Sequence, residues 1–171
     1  MKKSYMSPKI APRESPLAGK GLFAVDNIKK GELVIDFTDG PGTYLSTKGA
    51  YQLYEEGNDY MLQVDDDLFF AAKDEAELED ADFINHSCSP SLGIQGSLKF
   101  VAIRDIAPGE EIAFDYAMTE SSEYSMPCNC GTANCRKTIT GDDWKIKDLQ
   151  DRYRGYFSDY LQRKIDGLNS A

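Results

Sequence analysis

Gly109-Glu110-Glu111-Ile112-Ala113-Phe114-Asp115-Tyr116 is the stretch on which the fold turns. Pro108 and Gly109 punctuate the chain, and the residues Glu111 to Phe114 that follow suit a strand. Lys99 to Arg104 reads as a second strand, joined to the first through Asp105-Ile106-Ala107-Pro108-Gly109. Further out, Tyr60 to Val64 and Leu68 to Phe70 flank Asp65-Asp66-Asp67 as the arms of a hairpin flank its turn. Glu32 to Phe37 is a strand with two β-branched residues, and Gly21 to Val25 is a short apolar run. Residues 1–14, with Pro8 and Pro12, make an extended lead-in or edge strand. Tyr44 to Glu56 fits either a short helix or a loop. Short strands with frequent turns describe a mostly β domain, and the repeated helices that a doubly wound α/β fold needs are absent.

The C-terminal extension, 142–168, has a different rhythm. From Trp144 onward Leu149, Tyr153, Tyr156, Phe157, Tyr160, Leu161, Ile165 and Leu168 recur mostly at three and four, which predicts one amphipathic helix of roughly 25 residues. Gly155 weakens it by about 1 kcal/mol relative to Ala. The aromatic stripe is read as core packing against the β domain; a homodimer or substrate-facing surface is the alternative use.

A chain of 171 residues with 41% hydrophobic residues, ten Tyr and eight Phe has material for one packed core. The 19 basic and 29 acidic side chains leave a formal charge of -10. Such a surface repels a phosphate backbone and attracts a lysine-rich protein or peptide, although charge taken alone is read first as ordinary solubility. No direct nucleic-acid partner is therefore expected. Met1 to Ile10 has lysines but no apolar stretch behind them, and no run approaches the length of a membrane span. The expectation is a cytoplasmic or nuclear protein without a secretion signal or membrane contact, whose cysteines need an explanation other than disulfides.

Those cysteines are Cys88, Cys128, Cys130 and Cys135, three of them in the glycine-bearing run Cys128-Asn-Cys-Gly-Thr-Ala-Asn-Cys135. Three thiolates leave a tetrahedral zinc one ligand short, and Cys88 can supply the fourth if the fold carries it across. Two disulfides, with three possible pairings, are the competing reading. His86, the sole histidine, stands two residues from Cys88 but is not needed once four thiolates are counted.

Three segments together resemble the SET-domain family of protein-lysine methyltransferases. They are Gly19-Lys20-Gly21-Leu22-Phe23-Ala24 with Ile28 to Leu33; Phe83-Ile84-Asn85-His86-Ser87-Cys88-Ser89-Pro90; and Gly109 to Tyr116, trailed by a cysteine cluster similar to the family's post-SET motif. The resemblance implies a SET-like catalytic domain over 15–119, a post-SET-like zinc segment over 120–138, and small sheets with a knot-like crossing near the active site. It implies S-adenosylmethionine as cofactor, held by the backbone of Lys20, Gly21 and Leu22, by Asn85 and His86, and beside Tyr60. It also implies one structural zinc on Cys88, Cys128, Cys130 and Cys135. Tyr116 matches the catalytic tyrosine, with Tyr60 beside the lysine channel. Phe114 falls where the family's Phe or Tyr sets how many methyls are added, and Phe points to di- or trimethylation. The implied substrate is a lysine-bearing basic protein or peptide, a histone tail being the natural guess. One departure is Asp82, where members often carry Arg. The alternative is a SET-like module, stabilised by zinc, that binds a partner without catalysis.

Overall fold

The computed structural model describes residues 2–170. In chain order its elements are β1 (Tyr5–Met6), β2 (Ile10–Glu14), β3 (Lys20–Ala24), β4 (Leu33–Asp36), β5 (Thr43–Leu45), α1 (Thr47–Glu55), β6 (Met61–Asp65), β7 (Leu68–Ala71), β8 (Asn85–His86), β9 (Leu92–Gln95), β10 (Lys99–Ala102), β11 (Glu111–Phe114), β12 (Ser125–Pro127), β13 (Thr138–Thr140), α2 (Lys147–Arg152) and α3 (Asp159–Asn169). The expected mostly β architecture of small sheets is what forms. One sheet runs β1-β4-β10-β9-β11-β3-β2 with β8 alongside β11; a second has the order β5-β7-β6; β12 pairs with β13.

β11 is the junction of the large sheet. It runs antiparallel to β3, with Ile112 opposite Leu22, and parallel to β8, with Ala113 opposite Asn85 and Phe114 opposite His86. Phe114 also meets Leu92 of β9. A strand buried on both faces needs apolar residues without alternation. Ile112, Ala113 and Phe114 are indeed all buried. The pairing brings the Asn85–Cys88 segment against the start of the Asp115-Tyr116 exit.

The stretch left open at Tyr44 to Glu56 resolves into β5 followed by α1. Ser46 starts that helix, its side chain accepting the Gly49 N–H and so satisfying one of the first turn's free donors.

The single C-terminal helix expected from the periodicity is two. α2 ends at Arg152, and Gly155 takes a φ of +84°, the left-handed conformation that terminates helices and that glycine adopts without steric cost. The apolar spacing carries through the break because Tyr153, Phe157, Tyr160, Leu161 and Ile165 all turn into one core, shared with Leu22, Ile35, Phe100 and Ile112. Each such residue contributes about 1.5–3 kcal/mol on burial. The stripe is therefore part of this chain's own core; Leu168 is left exposed at its end. Among the described residues no helix is long and apolar enough to cross a membrane.

Candidate active site and cysteine centre

A cavity of about 690 Å³ opens beside β8 and β11, within the size range of small-molecule sites. Its lining joins three sets of residues: the loop Ala18–Lys20 with Asp82, Phe83 and Asn85; the rings of Tyr60, Phe114 and Tyr116; and a rim with Tyr51, Tyr54, Glu55 and Glu123.

The first wall is held by the Asn85 amide. Its Nδ2 donates to the carbonyls of Ala18 (3.2 Å) and Lys20 (3.0 Å) and to Glu111 Oε1 (2.9 Å). Glu111 in turn accepts from the Ser15 hydroxyl at 2.7 and 2.9 Å. Gly21 is what lets these groups meet, since a Cβ there would lie 2.3 Å from Glu111 Oε1 and 3.0 Å from Asn85 Nδ2. Of the three backbone positions expected to hold a cofactor, Lys20 lines the cavity, Gly21 stands behind it, and Leu22 is fully buried in β3. Ala18 and Gly19, not among the cofactor positions expected from the sequence, complete the wall. The Lys20 ammonium sits 4.9 Å from the centre of the Phe83 ring. Asp82 accepts the Glu79 N–H at 2.8 Å, and burial pushes its carboxyl up to about 6.

The second wall is aromatic. The Phe114 ring lies 5.0 Å from both Phe100 and Tyr116, and Tyr60 packs edge-on to Phe83 at 5.6 Å. Tyr116 opens a tight turn as the chain leaves β11, with Asp115 accepting the Ala117 N–H at 3.0 Å. Burial pushes the Tyr116 phenol above its ordinary value, and the carboxylates of Asp59 and Glu120 push the same way, so the hydroxyl keeps its proton. The His86 ring is absent from the lining. Its Nδ1 accepts the Tyr116 N–H at 3.1 Å while Nε2 lies 3.4 Å from Cys88 Sγ. Burial lowers its pKa to about 4, so the ring is neutral with its proton on Nε2. His86 thus holds the backbone of Tyr116 in place.

Among the cavity residues with no counterpart in the sequence expectations, Glu120 and Tyr124 stand out. Glu120 accepts the Gln63 N–H at 3.2 Å and the Thr119 hydroxyl at 3.4 Å, and burial pushes its carboxyl up to about 7. Tyr124 has a buried hydroxyl with no hydrogen-bond partner among the described residues. The one available signal was spacing: Glu120 follows Tyr116 by four, a single helical turn.

Behind the tyrosine, Asp115 is fully buried and fully paired. Arg136 donates to it twice, at 2.6 and 2.8 Å, and Tyr153 donates at 2.8 Å. Arg136 also bridges to Asp143 at 2.9 Å. Next to this network the sulfurs of Cys88, Cys128, Cys130 and Cys135 all lie within 4.8 Å of one another. All four thiols are free, and they gather about one point rather than in two pairs. The Cys88–Cys128 separation is 3.8 Å. Tetrahedral coordination with Zn–S bonds of about 2.3 Å places sulfurs about 3.8 Å apart. The backbone N–H groups of Arg136 and Lys137 point at Cys88 and Cys135 sulfur, both at 3.4 Å, as donors do toward thiolates. The donor set and spacing fit zinc without His86.

The SET domain family model matches residues 19–117 of this chain. An H3 lysine-4 specific histone-lysine N-methyltransferase of Schizosaccharomyces pombe is 34% identical over 129 residues, covering 68% of this chain and 13% of that protein. Histone-lysine N-methyltransferase 2B of Homo sapiens is 33% identical over 135 residues, covering 73% of this chain and 5% of that one. The chain thus spans a small part of the length of these relatives. Among solved structures, KRYPTONITE in complex with mCHH DNA, an H3(1-15) peptide and SAH superposes over 78% of this chain and 30% of its own, with a TM-score of 0.60 and 24% identity. That likeness is one of fold.

Proposed function

The chain belongs to the SET-domain family, and from that premise we propose that it is a protein-lysine N-methyltransferase using S-adenosylmethionine. The observation that carries this reading is the single cavity in which the Ala18–Lys20 loop and Asn85 share a lining with Tyr60, Phe114 and Tyr116. When bound, S-adenosylmethionine supplies an electrophilic methyl on a positively charged sulfur. The Ala18–Lys20 loop, which Gly21 and Asn85 hold against Glu111, is the wall that would carry it.

The chain's own part is to receive and orient an amine. A lysine with its ordinary pKa near 10.4 costs about 4–5 kcal/mol to deprotonate at pH 7. Desolvation among Phe37, Phe100 and Phe114 favours the neutral amine. The Tyr116 hydroxyl, held protonated, orients it as a hydrogen-bond partner and offers an oxygen to a developing positive charge. Phe114 places no hydroxyl beside the amine, which supports transfer of a second and third methyl.

The acidic rim, Glu55 and Glu123, and the formal charge of -10 suit a basic protein or peptide rather than nucleic acid. A histone tail is the substrate we propose first, because relatives carry histone-lysine names and the KRYPTONITE structure holds an H3 peptide. Cys88, Cys128, Cys130 and Cys135 are proposed to hold one structural zinc. Intact-mass and peptide mass spectrometry of zinc-loaded protein with S-adenosylmethionine and panels of histones and other basic proteins tests the activity. Steps of about 14 Da on a lysine are expected, up to three per residue; SAH binding without any methylation across the panels would favour a binding module instead.

A further inference from the structure

Glu120 has no role in the mechanism so far. Its N–H donates to the Tyr116 carbonyl at 2.9 Å, so the two residues stand one helical turn apart, and both line the cavity. Both hydrogen bonds to its carboxylate, from Gln63 and Thr119, fall on Oε1. Among the described residues nothing hydrogen-bonds Oε2, and no Lys or Arg pairs with the group. In the same cavity the Tyr124 hydroxyl is buried without a partner, close enough to Glu120 to feel its charge. Buried polar groups are almost always paired, so the open Tyr124 hydroxyl beside the unpartnered Glu120 Oε2 points to a ligand that completes them. A carboxylate oxygen and a phenol together suit an alkylammonium, which brings three donors and no acceptor.

Resting on the methyltransferase reading, we propose that Glu120 is a second catalytic residue, the acceptor of the substrate ammonium's proton. The N–H bond of the lysine Nζ breaks and its electron pair stays on nitrogen as the lone pair of the neutral amine. The proton forms an O–H bond at Glu120 Oε2 and leaves to water before the next turnover. Tyr116, already protonated, has no capacity for it.

The titratable groups around Glu120 agree with that role. Tyr116 and Tyr124 face it from its own segment and Tyr160 from α3, while β6 presents the neutral amide of Gln63; Asp59, ahead of β6, shares its influence on Tyr116. With no cation in this set, burial dominates and leaves the carboxyl at about 7, where a base is both available and strong enough near neutral pH.

The first test needs no turnover. The full chain is labelled with ¹³C at the glutamate carboxyls, and the Glu120 resonance is assigned by its loss in Glu120→Gln. Its titration midpoint is expected near 7, falling by about one unit or more on saturation with n-butylammonium and unmoved by n-butanol. A midpoint among ordinary carboxylates, or no response to n-butylammonium, overturns the proposal. The methyltransferase reading fails by a different result, the absence of both SAH binding and methylation, which would take the catalytic role of Glu120 with it. The second test follows kcat/KM against pH on the substrate the panels identify. The wild type should rise to a plateau above about pH 7; Glu120→Gln should fall about 100-fold at neutral pH and keep rising toward the lysine's own pKa. Glu120→Asp should keep a plateau at a displaced midpoint, and equal SAH affinity in all three proteins reports an intact fold. A Glu120→Gln profile with the wild-type plateau overturns the assignment.

Discussion

Asp115 and Tyr116 are neighbours in the chain and live in opposite environments. Asp115 faces inward, where Arg136, Tyr153 and the Ala117 N–H take up its carboxylate. Tyr116 faces a cavity in which Glu120 Oε2 and the Tyr124 hydroxyl lack partners among the described residues. Both sides hold polar atoms, yet only one completes them from within. The difference teaches how to tell support from site in this molecule: a closed network fixes position, and an open one awaits a ligand.

The largest effect should come from opening the closed side. Asp115→Ala takes two of the three carboxylate bonds from the Arg136 guanidinium beside the cysteines, and removing one partner of a buried pair costs about 3–5 kcal/mol. For a chain of this size that lowers Tm by about 6–20 °C, readable by calorimetry. Tyr116→Phe should do the reverse, leaving Tm within a degree or so while kcat falls about 100- to 1,000-fold, equivalent to about 2.7–4 kcal/mol. A Tyr116→Phe protein that melts early, or an Asp115→Ala protein that does not, would erase the distinction between the two faces.

Gly21→Ala sharpens the comparison at the loop wall. The new Cβ would press on Glu111 Oε1 and Asn85 Nδ2, and relief of about 1–3 kcal/mol of overpacking must come from that wall. Isothermal titration should show SAH affinity reduced about tenfold or more with little change in the core. The smallest effect is electrostatic. Asp82 has a folded pKa near 6, above its unfolded value, so its contribution to stability is full below about pH 4 and is lost as pH rises through 6. Asp82→Asn should therefore stabilise the protein by about 1–2 kcal/mol at pH 8, after allowance for partial solvent access, and by almost nothing at pH 4. Equal gains at both pH values would remove the charge explanation.

Much of the support was legible beforehand. Turn residues and apolar runs marked β3, β4, β10, β11 and the β6–β7 hairpin because each announces itself locally. The parallel register of Asn85 with Ala113 was not, since pairing across the chain leaves no periodicity to read. The break at Gly155 was hidden by residues on either side of it packing into one core. Asn85, Phe114 and Tyr116 stood out by motif, and the structure places them around one cavity. Glu120 and Tyr124 did not, because what distinguishes them is an unpartnered polar atom in a cavity, a property that exists only after folding. The same holds for Arg136: nothing in the sequence after the last cysteine ties it to Asp115.

The groups that brace Asp115 and Tyr116 from behind arrive late in synthesis. Arg136 and Tyr153 lie downstream of the strand they secure, as does Asn134, whose amide clasps the Cys88 carbonyl at 2.9 Å. A ribosome delivers the cavity walls first and their fastening last. A nascent chain stopped short of Tyr153 would carry both motifs and lack the hydroxyl that fastens Asp115, so this wall gains its fastening only once α2 has emerged.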